Sequence, residues 1–256
     1  GCEVMAVQNT LAPKKETKGK NEIVFNANGT QVKLTPDTVK NYLVSGDKDK
    51  VTMQEVVMFM NLCKFNGLNP WLKEAYLIKY GNEPATIVAG KDAFTKRAEG
   101  NPNFDGYKAG LILTDENMEE LTYREGSFKL PNEVLVGGYA EVYRKDRDHS
   151  YRAEVTFEEY AGRKKDGSLN RQWANKPTTM IRKVALVQAL RVAFPGTLGG
   201  MYSPEEQGVE EPIDVPYVEQ PQQETQINAQ QPSVEGQFEQ QSFVQENPAD
   251  TLFGNQ

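Results

Sequence analysis

The sequence predicts an α+β fold, a single compact domain in which β-hairpins and an antiparallel sheet pack with helices. Strand-like stretches follow one another across short turn signals, as in hairpins. They do not show the regular strand–helix–strand alternation of a parallel sheet. An apolar run without Gly or Pro, from Met180 to Phe194, is long enough to predict a C-terminal helix. We expect a flexible arm over 1–20, a folded body over 21–204 and a disordered acidic tail over 205–256.

The first elements are a hairpin and two capped helices. Asn28–Gly29 is a strong hairpin-turn signal between two short apolar stretches. Thr35 followed by Pro36 is typical of a helix start, since proline is tolerated in the first turn. Thr52 and Glu55 have the spacing of a capping box and predict a second helix.

A hairpin and a helix are predicted next. Ala75 to Tyr80 and Ala85 to Ala89 read as strands joined across Gly81–Asn82. Gly90 then begins a helix that ends at Gly100. The N-terminus of a helix carries unpaired N–H groups and partial positive charge, which suits a phosphate.

Three longer strands should build the main sheet. The first two are Phe104 to Leu113 and Val134 to Arg144, and Tyr151 to Val155 forms the third. An acidic, turn-rich excursion, Thr114 to Pro131, separates the first two strands. A basic loop from Arg163 to Lys176 then leads to the C-terminal helix.

The charges are distributed unevenly along the chain. The net charge is −7, but residues 205–256 contain eleven acids and no Lys or Arg. Residues 1–204 hold all 29 basic residues with the remaining 25 acids, a net of +4. A basic body with an acidic tail is typical of nucleic-acid-binding proteins, in which the tail can compete with the nucleic acid.

The C-terminal helix carries three cations in an otherwise apolar surface. Arg182, Lys183 and Arg191 need anionic partners, since an unpaired buried charge is very costly. These partners could be carboxylates or the phosphates of a nucleic acid. Eight basic residues lie between Arg163 and Pro204, with Asp166 as the only acid. That imbalance favours phosphates and a basic groove lined by the helix.

Nine residues are candidates for contact with the nucleic acid. Seven are cations that can bind phosphates: Lys183, Arg182, Arg191, Lys176, Arg171, Lys91 and Arg144. Trp173 and Tyr80 can stack on bases or belong to the core.

The sequence offers no catalytic centre. Gly90–Lys91 lacks the glycine and the Ser/Thr that an ATP-binding phosphate loop requires. His149 is the only histidine, and the cysteines, Cys2 and Cys63, have neither zinc nor disulfide spacing, which fits a reducing cytosol. No apolar run is long enough for a membrane span. We therefore expect a non-enzymatic protein without a resident cofactor.

Three blocks of the sequence resemble the RecT family of phage single-strand annealing proteins. They are Leu68–Asn69–Pro70–Trp71 with Lys73–Glu74–Ala75–Tyr76–Leu77–Ile78; Gly90–Lys91–Asp92–Ala93–Phe94 with Arg97–Ala98–Glu99 and Phe104–Asp105–Gly106; and Pro177, Met180, Ile181, Lys183, Ala185, Leu190–Arg191, Ala193–Phe194–Pro195, Tyr202 and Glu205–Glu206. The resemblance covers roughly residues 32–206, and three ordered blocks are more specific than one motif.

The resemblance implies ATP-independent annealing of complementary single strands in phage or prophage recombination. It implies binding to single-stranded and annealed duplex DNA, a homo-oligomeric ring or helical filament, and a 5′→3′ exonuclease partner in a bacterial host cell. Whether magnesium takes part, by binding to the DNA, is left open. Two other functions stay open: a passive single-strand-binding protein without annealing activity, and an adaptor that docks partners through its Gln-rich tail.

Overall fold

The computed structural model describes residues 21–212 and has the predicted α+β fold. Its strands are β1 (Ile23–Ala27), β2 (Thr30–Leu34), β3 (Val44–Gly46), β4 (Ala75–Lys79), β5 (Thr86–Ala89), β6 (Phe104–Thr114), β7 (Leu121–Glu125), β8 (Val134–Arg144) and β9 (Tyr151–Thr156). Its α-helices are α1 (Pro36–Thr38), α2 (Met53–Asn66), α3 (Lys91–Glu99), α4 (Phe157–Tyr160), α5 (Arg171–Asn175), α6 (Pro177–Ala193) and α7 (Pro195–Leu198). The predicted arm, 1–20, and residues 213–256 of the predicted tail lie outside the described residues.

The main sheet is antiparallel, with strand order β7-β6-β8-β9. Helix α6 packs across β8, β9 and β6. Gly138 on β8 permits this close approach, because a Cβ there would lie 2.7 Å from the carbonyl oxygen of Ile181 on α6. The apolar residues of α6 are buried against the sheet, which explains why its apolar positions cover most of the helical circumference.

A smaller sheet has strand order β3-β4-β5, and every residue of β4 is buried. Strand β4 pairs with β5 as the predicted hairpin and with β3 in parallel. One face of this sheet belongs to the main core. On the other face Tyr76, Ile78 and Val88 form a small cluster, and Val209 packs against it. The chain after α7 therefore returns to cover the small sheet.

The predicted helix starts are confirmed by their caps. Thr35 accepts a hydrogen bond from the backbone N–H of Thr38, and Thr52 accepts one from that of Glu55. The Glu55 carboxylate accepts from the Thr52 backbone N–H, which completes the capping box. Helix α6 begins before the predicted run, with Pro177 in its first turn, where proline is tolerated.

Four details differ from the sequence prediction. The helix predicted to start at Thr35–Pro36 continues over Val39–Leu43 as a π-helix rather than an α-helix. Strand β7 lies inside the excursion predicted to be irregular, and α5 lies inside the predicted basic loop. Glu205–Gln207, assigned from the sequence to the tail, form a 3₁₀ helix that packs near α6.

Candidate nucleic-acid interface

Lys183 is held by two carboxylates. Its Nζ lies 2.8 Å from Oε1 of Glu205 and 2.6 Å from Oε2 of Glu211, and the residue is only 9% exposed. Burial opposes the charged ammonium, but the two carboxylates outweigh it and raise the pKa of Lys183 above its ordinary value. Lys183 is therefore a charged, buried lysine whose partners come from the segment after α7.

Arg191, two turns further along α6, is paired in the same way. Its guanidinium binds both oxygens of the Glu206 carboxylate and lies 4.6 Å from the centre of the Tyr202 ring. It also donates to the carbonyl oxygen of Met201. The pair fixes the turn that connects α7 to the 3₁₀ helix.

Arg182 points to a different part of the molecule. Its Nε donates to the carbonyl oxygen of Ala109 on β6, at 3.0 Å. The three cations of α6 thus do not form one open arc. The anions beside Lys183 and Arg191 in this structure are carboxylates, the alternative that the charge imbalance did not favour. The imbalance covers the stretch up to Pro204, and the partner carboxylates begin at the next residue. Contact of these two cations with nucleic acid stays a prediction.

Glu211 brings together segments that are far apart in the sequence. Its Oε1 accepts a hydrogen bond from the Tyr76 hydroxyl, at 3.0 Å. Burial, followed by the charge of Glu211, raises the pKa of Tyr76, so the hydroxyl keeps its proton and remains a donor. A Cβ built on Gly90, at the start of α3, would lie 3.9 Å from the same Oε1. Gln172 on α5 donates to the backbone carbonyl of Glu211, at 3.0 Å.

A cleft with a volume of about 350 Å³ opens beside Glu211. Its lining residues come from α5, the start of α6 and the returning segment: Arg171, Gln172, Asn175, Lys176, Met180 and Glu211. Arg171 and Lys176 are exposed, and no ion pair to either is found within residues 21–212. The cleft therefore offers two free cations at its rim and one carboxylate in its wall. Such a rim can bind phosphates.

The other predicted contacts lie in varied environments. The Lys91 side chain is 44% exposed and sits at the start of α3, with Asp92 at 3.5 Å. Arg144 donates from Nε and Nη2 to the two carboxylate oxygens of Asp146, each at 2.8 Å, and its guanidinium lies over the ring of Phe194. Tyr80 is 55% exposed just beyond β4, where it can meet a ligand.

Trp173 is a core residue. It is 2% exposed and meets the Phe157 ring edge-on, with 5.5 Å between ring centroids. Two roles were predicted for Trp173, stacking on a base and packing in the core. In the structure it packs in the core.

Tyr76, Gln172, Glu205, Glu206 and Glu211 were missed as site residues by the sequence reasoning. A signal existed for three of them, because Tyr76 lies in the first block of the resemblance and Glu205–Glu206 lie in the third. The other two, Gln172 and Glu211, are recognisable only from tertiary contacts.

Metal-ligating side chains do not cluster in the part of the chain that the structure describes. Asp146, three residues before His149, is already bound by Arg144 and Arg147. Within residues 21–212, no helix has the length and apolar character that crossing a membrane requires.

Comparison with known proteins identifies related sequences. The sequence model of the RecT family matches residues 30–219. An uncharacterized protein of Ureaplasma parvum is 30% identical over 167 residues, which cover 63% of this chain and 66% of that protein. The recombination protein bet of Escherichia phage lambda is 27% identical over 145 residues, which cover 55% of this chain and 46% of that protein. The chain thus spans between about half and two thirds of the length of these relatives.

Proposed function

Because this chain belongs to the RecT family, whose sequence model matches 190 of its 256 residues, we propose that it anneals complementary single strands of DNA without ATP. The similarity to the recombination protein bet of Escherichia phage lambda supports a role in phage or prophage recombination, which we propose takes place within a bacterial host. Family membership is the observation that carries this proposal. The exposed cations around the cleft supply the groups that bind phosphates.

The mechanism rests on contacts to phosphates. Arg171 and Lys176 at the rim of the cleft, with Lys91 at the start of α3, bind phosphates of the first strand. Such contacts fix the position of a strand and carry no sequence information, which suits annealing of arbitrary sequences. The bases remain free to pair, so complementarity is tested by the second strand. Exposed Tyr80 can stack on a base at the edge of this path.

The three cations of α6 and Arg144 also hold the binding surface in place. Lys183 and Arg191 fix the segment 205–211 beside the cleft through their carboxylate partners, and Arg182 joins α6 to β6. Arg144 joins the end of β8 to the end of α6, since it donates to the carbonyl oxygen of Ala193. Arg182, Arg191 and Arg144 support the binding surface, while the exposed cations meet the strand.

Annealing by a member of this family also needs several protomers to assemble and a source of single-stranded DNA. We include in the proposal a homo-oligomer, either a ring or a helical filament, and a 5′→3′ exonuclease that exposes the strands. An oligomer suits the task because several protomers can hold one extended strand by repeated phosphate contacts.

A passive single-strand-binding protein is the alternative, and an annealing assay separates the two. Two complementary oligonucleotides, one with a fluorophore and one with a quencher, are mixed with the protein in the absence of any nucleotide. Annealing activity predicts a quenching rate well above the spontaneous rate. A passive binder would leave the rate unchanged or lower it, because the coated strands are kept apart.

A further inference from the structure

The Glu211 carboxylate is a second anion on a lysine that already has a partner. Glu205 neutralises Lys183 from within the core, where the Glu205 side chain is 1% exposed. Glu211 approaches the same Nζ from the outside, and its side chain is 31% exposed. One ammonium therefore holds two carboxylates, of which the outer one is accessible to solvent.

The donors around this outer carboxylate suit a phosphate equally well. An ammonium and a phenolic hydroxyl donate directly to it, from Lys183 and Tyr76. The start of the nine-residue helix α3 lies beside it, and its N-cap residue, Gly90, makes no side-chain capping hydrogen bond. Charged donors of this kind bind a phosphate oxygen as they bind a carboxylate oxygen.

The position is also open to the proposed path of the DNA. Glu211 lines the same cleft as Arg171 and Lys176. A phosphate held at the rim by those two cations therefore lies next to the carboxylate that occupies the inner position. Displacement of Glu211 leaves Glu205 paired with Lys183 and Glu206 paired with Arg191.

We propose that Glu211 is a built-in competitor, which occupies a phosphate-binding position formed by Lys183, Tyr76 and the start of α3, and which a phosphate of single-stranded DNA displaces. The inference rests on the proposed function, since it needs single-stranded DNA as the ligand. Weakening the competitor must strengthen DNA binding. If Glu211 occupies the position for roughly 80–90% of the time, freeing it raises the affinity about fivefold to tenfold.

The test compares two variants with the same change of charge. Glu211→Gln removes the charge of the competitor and nearly keeps its shape. Glu210→Gln removes the charge of the neighbouring residue, for which no ion pair is found within residues 21–212. The affinity of the full chain for a labelled single-stranded oligonucleotide is measured by fluorescence anisotropy at one salt concentration. Thermal unfolding of each variant checks that it is folded.

The inference predicts that Glu211→Gln binds severalfold more tightly than both the wild type and Glu210→Gln. An equal gain in the two variants would mean that only long-range charge matters, and would overturn the inference. So would weaker DNA binding by Glu211→Gln with a lowered melting temperature, because Glu211 would then only fasten the segment to the body. If the wild type and both variants fail to bind single-stranded DNA, the proposed function itself is wrong.

Discussion

Lys183 and Glu205 form a buried ion pair, with 2.8 Å between Nζ and Oε1 and side chains only 10% and 1% exposed. The second oxygen of Glu205, Oε2, is buried and finds no hydrogen-bond partner among residues 21–212. The ammonium of Lys183 is therefore the main compensation for a carboxylate removed from water. A cation set among the buried apolar residues of α6 has a structural reason to be there.

Lys183→Ala should destabilise the DNA-free protein. Removing the ammonium leaves the Glu205 carboxylate buried without its partner, which typically costs about 3–5 kcal/mol. Thermal or chemical unfolding of the variant measures this loss.

Lys64→Ala is the matched control for that experiment. Lys64 lies on the exposed side of α2, and exposed substitutions usually change the free energy of unfolding by less than about 0.5 kcal/mol. If Lys183→Ala were as stable as Lys64→Ala, the ion pair with Glu205 would contribute nothing measurable to the free energy of unfolding. Phosphate would then be the better assignment for the partner of Lys183.

Arg171→Ala and Lys176→Ala should weaken DNA binding with little loss of stability. Both side chains are exposed at the rim of the cleft. Each lost phosphate contact on a single strand should reduce the slope of log K against log[salt] by about 0.7. Anisotropy titrations at several salt concentrations give these slopes.

The same Lys64→Ala variant controls for net charge in the titrations. It should keep the wild-type slope. If Arg171→Ala and Lys176→Ala also kept the wild-type slope and affinity, the cleft would not lie on the path of the DNA.

Glu55 should make the stability of the protein sensitive to acid. Burial alone would raise the pKa of Glu55. Hydrogen bonds from Lys79 and from the backbone N–H groups of Thr52 and Ala85 outweigh burial and lower the pKa to about 2. A carboxyl whose pKa is depressed in the folded state contributes stability above its unfolded pKa of 4.5, and this is lost as the pH falls towards 2. The contribution should be on the order of 1–3 kcal/mol.

Denaturant unfolding at pH 6 and at pH 3 tests this contribution in the wild type and in Glu55→Gln. The wild type should lose more of its unfolding free energy between the two pH values than the variant does. Equal losses would show that Glu55 titrates alike in the folded and unfolded chain.

Local signals were sufficient to predict much of the fold. The capping box of Thr52 and Glu55 and the turn at Asn28–Gly29 act within a few residues, so the elements they define were predicted correctly. Strand β7 was missed because four of its five residues are exposed, as expected of an edge strand with little apolar alternation.

The site was less accessible to sequence reasoning. The apolar surroundings of Lys183 and Arg191 correctly indicated that they need anions, but composition alone does not say which anions come near in space. Glu205 and Glu211 lie 22 and 28 residues from Lys183 and reach it because Val209 packs on the small sheet. That packing is a tertiary contact without a local signal. Membership of the RecT family, in contrast, was recognisable from ordered blocks of sequence.

The most direct test of the central claim is the annealing rate of the wild type beside that of the double variant Arg171→Ala/Lys176→Ala. Complementary labelled oligonucleotides are mixed without nucleotide, and non-complementary strands serve as the control. We predict that the wild type accelerates pairing of complementary strands alone, and that the folded double variant loses most of this acceleration. A wild-type rate equal to the spontaneous rate would contradict the annealing function.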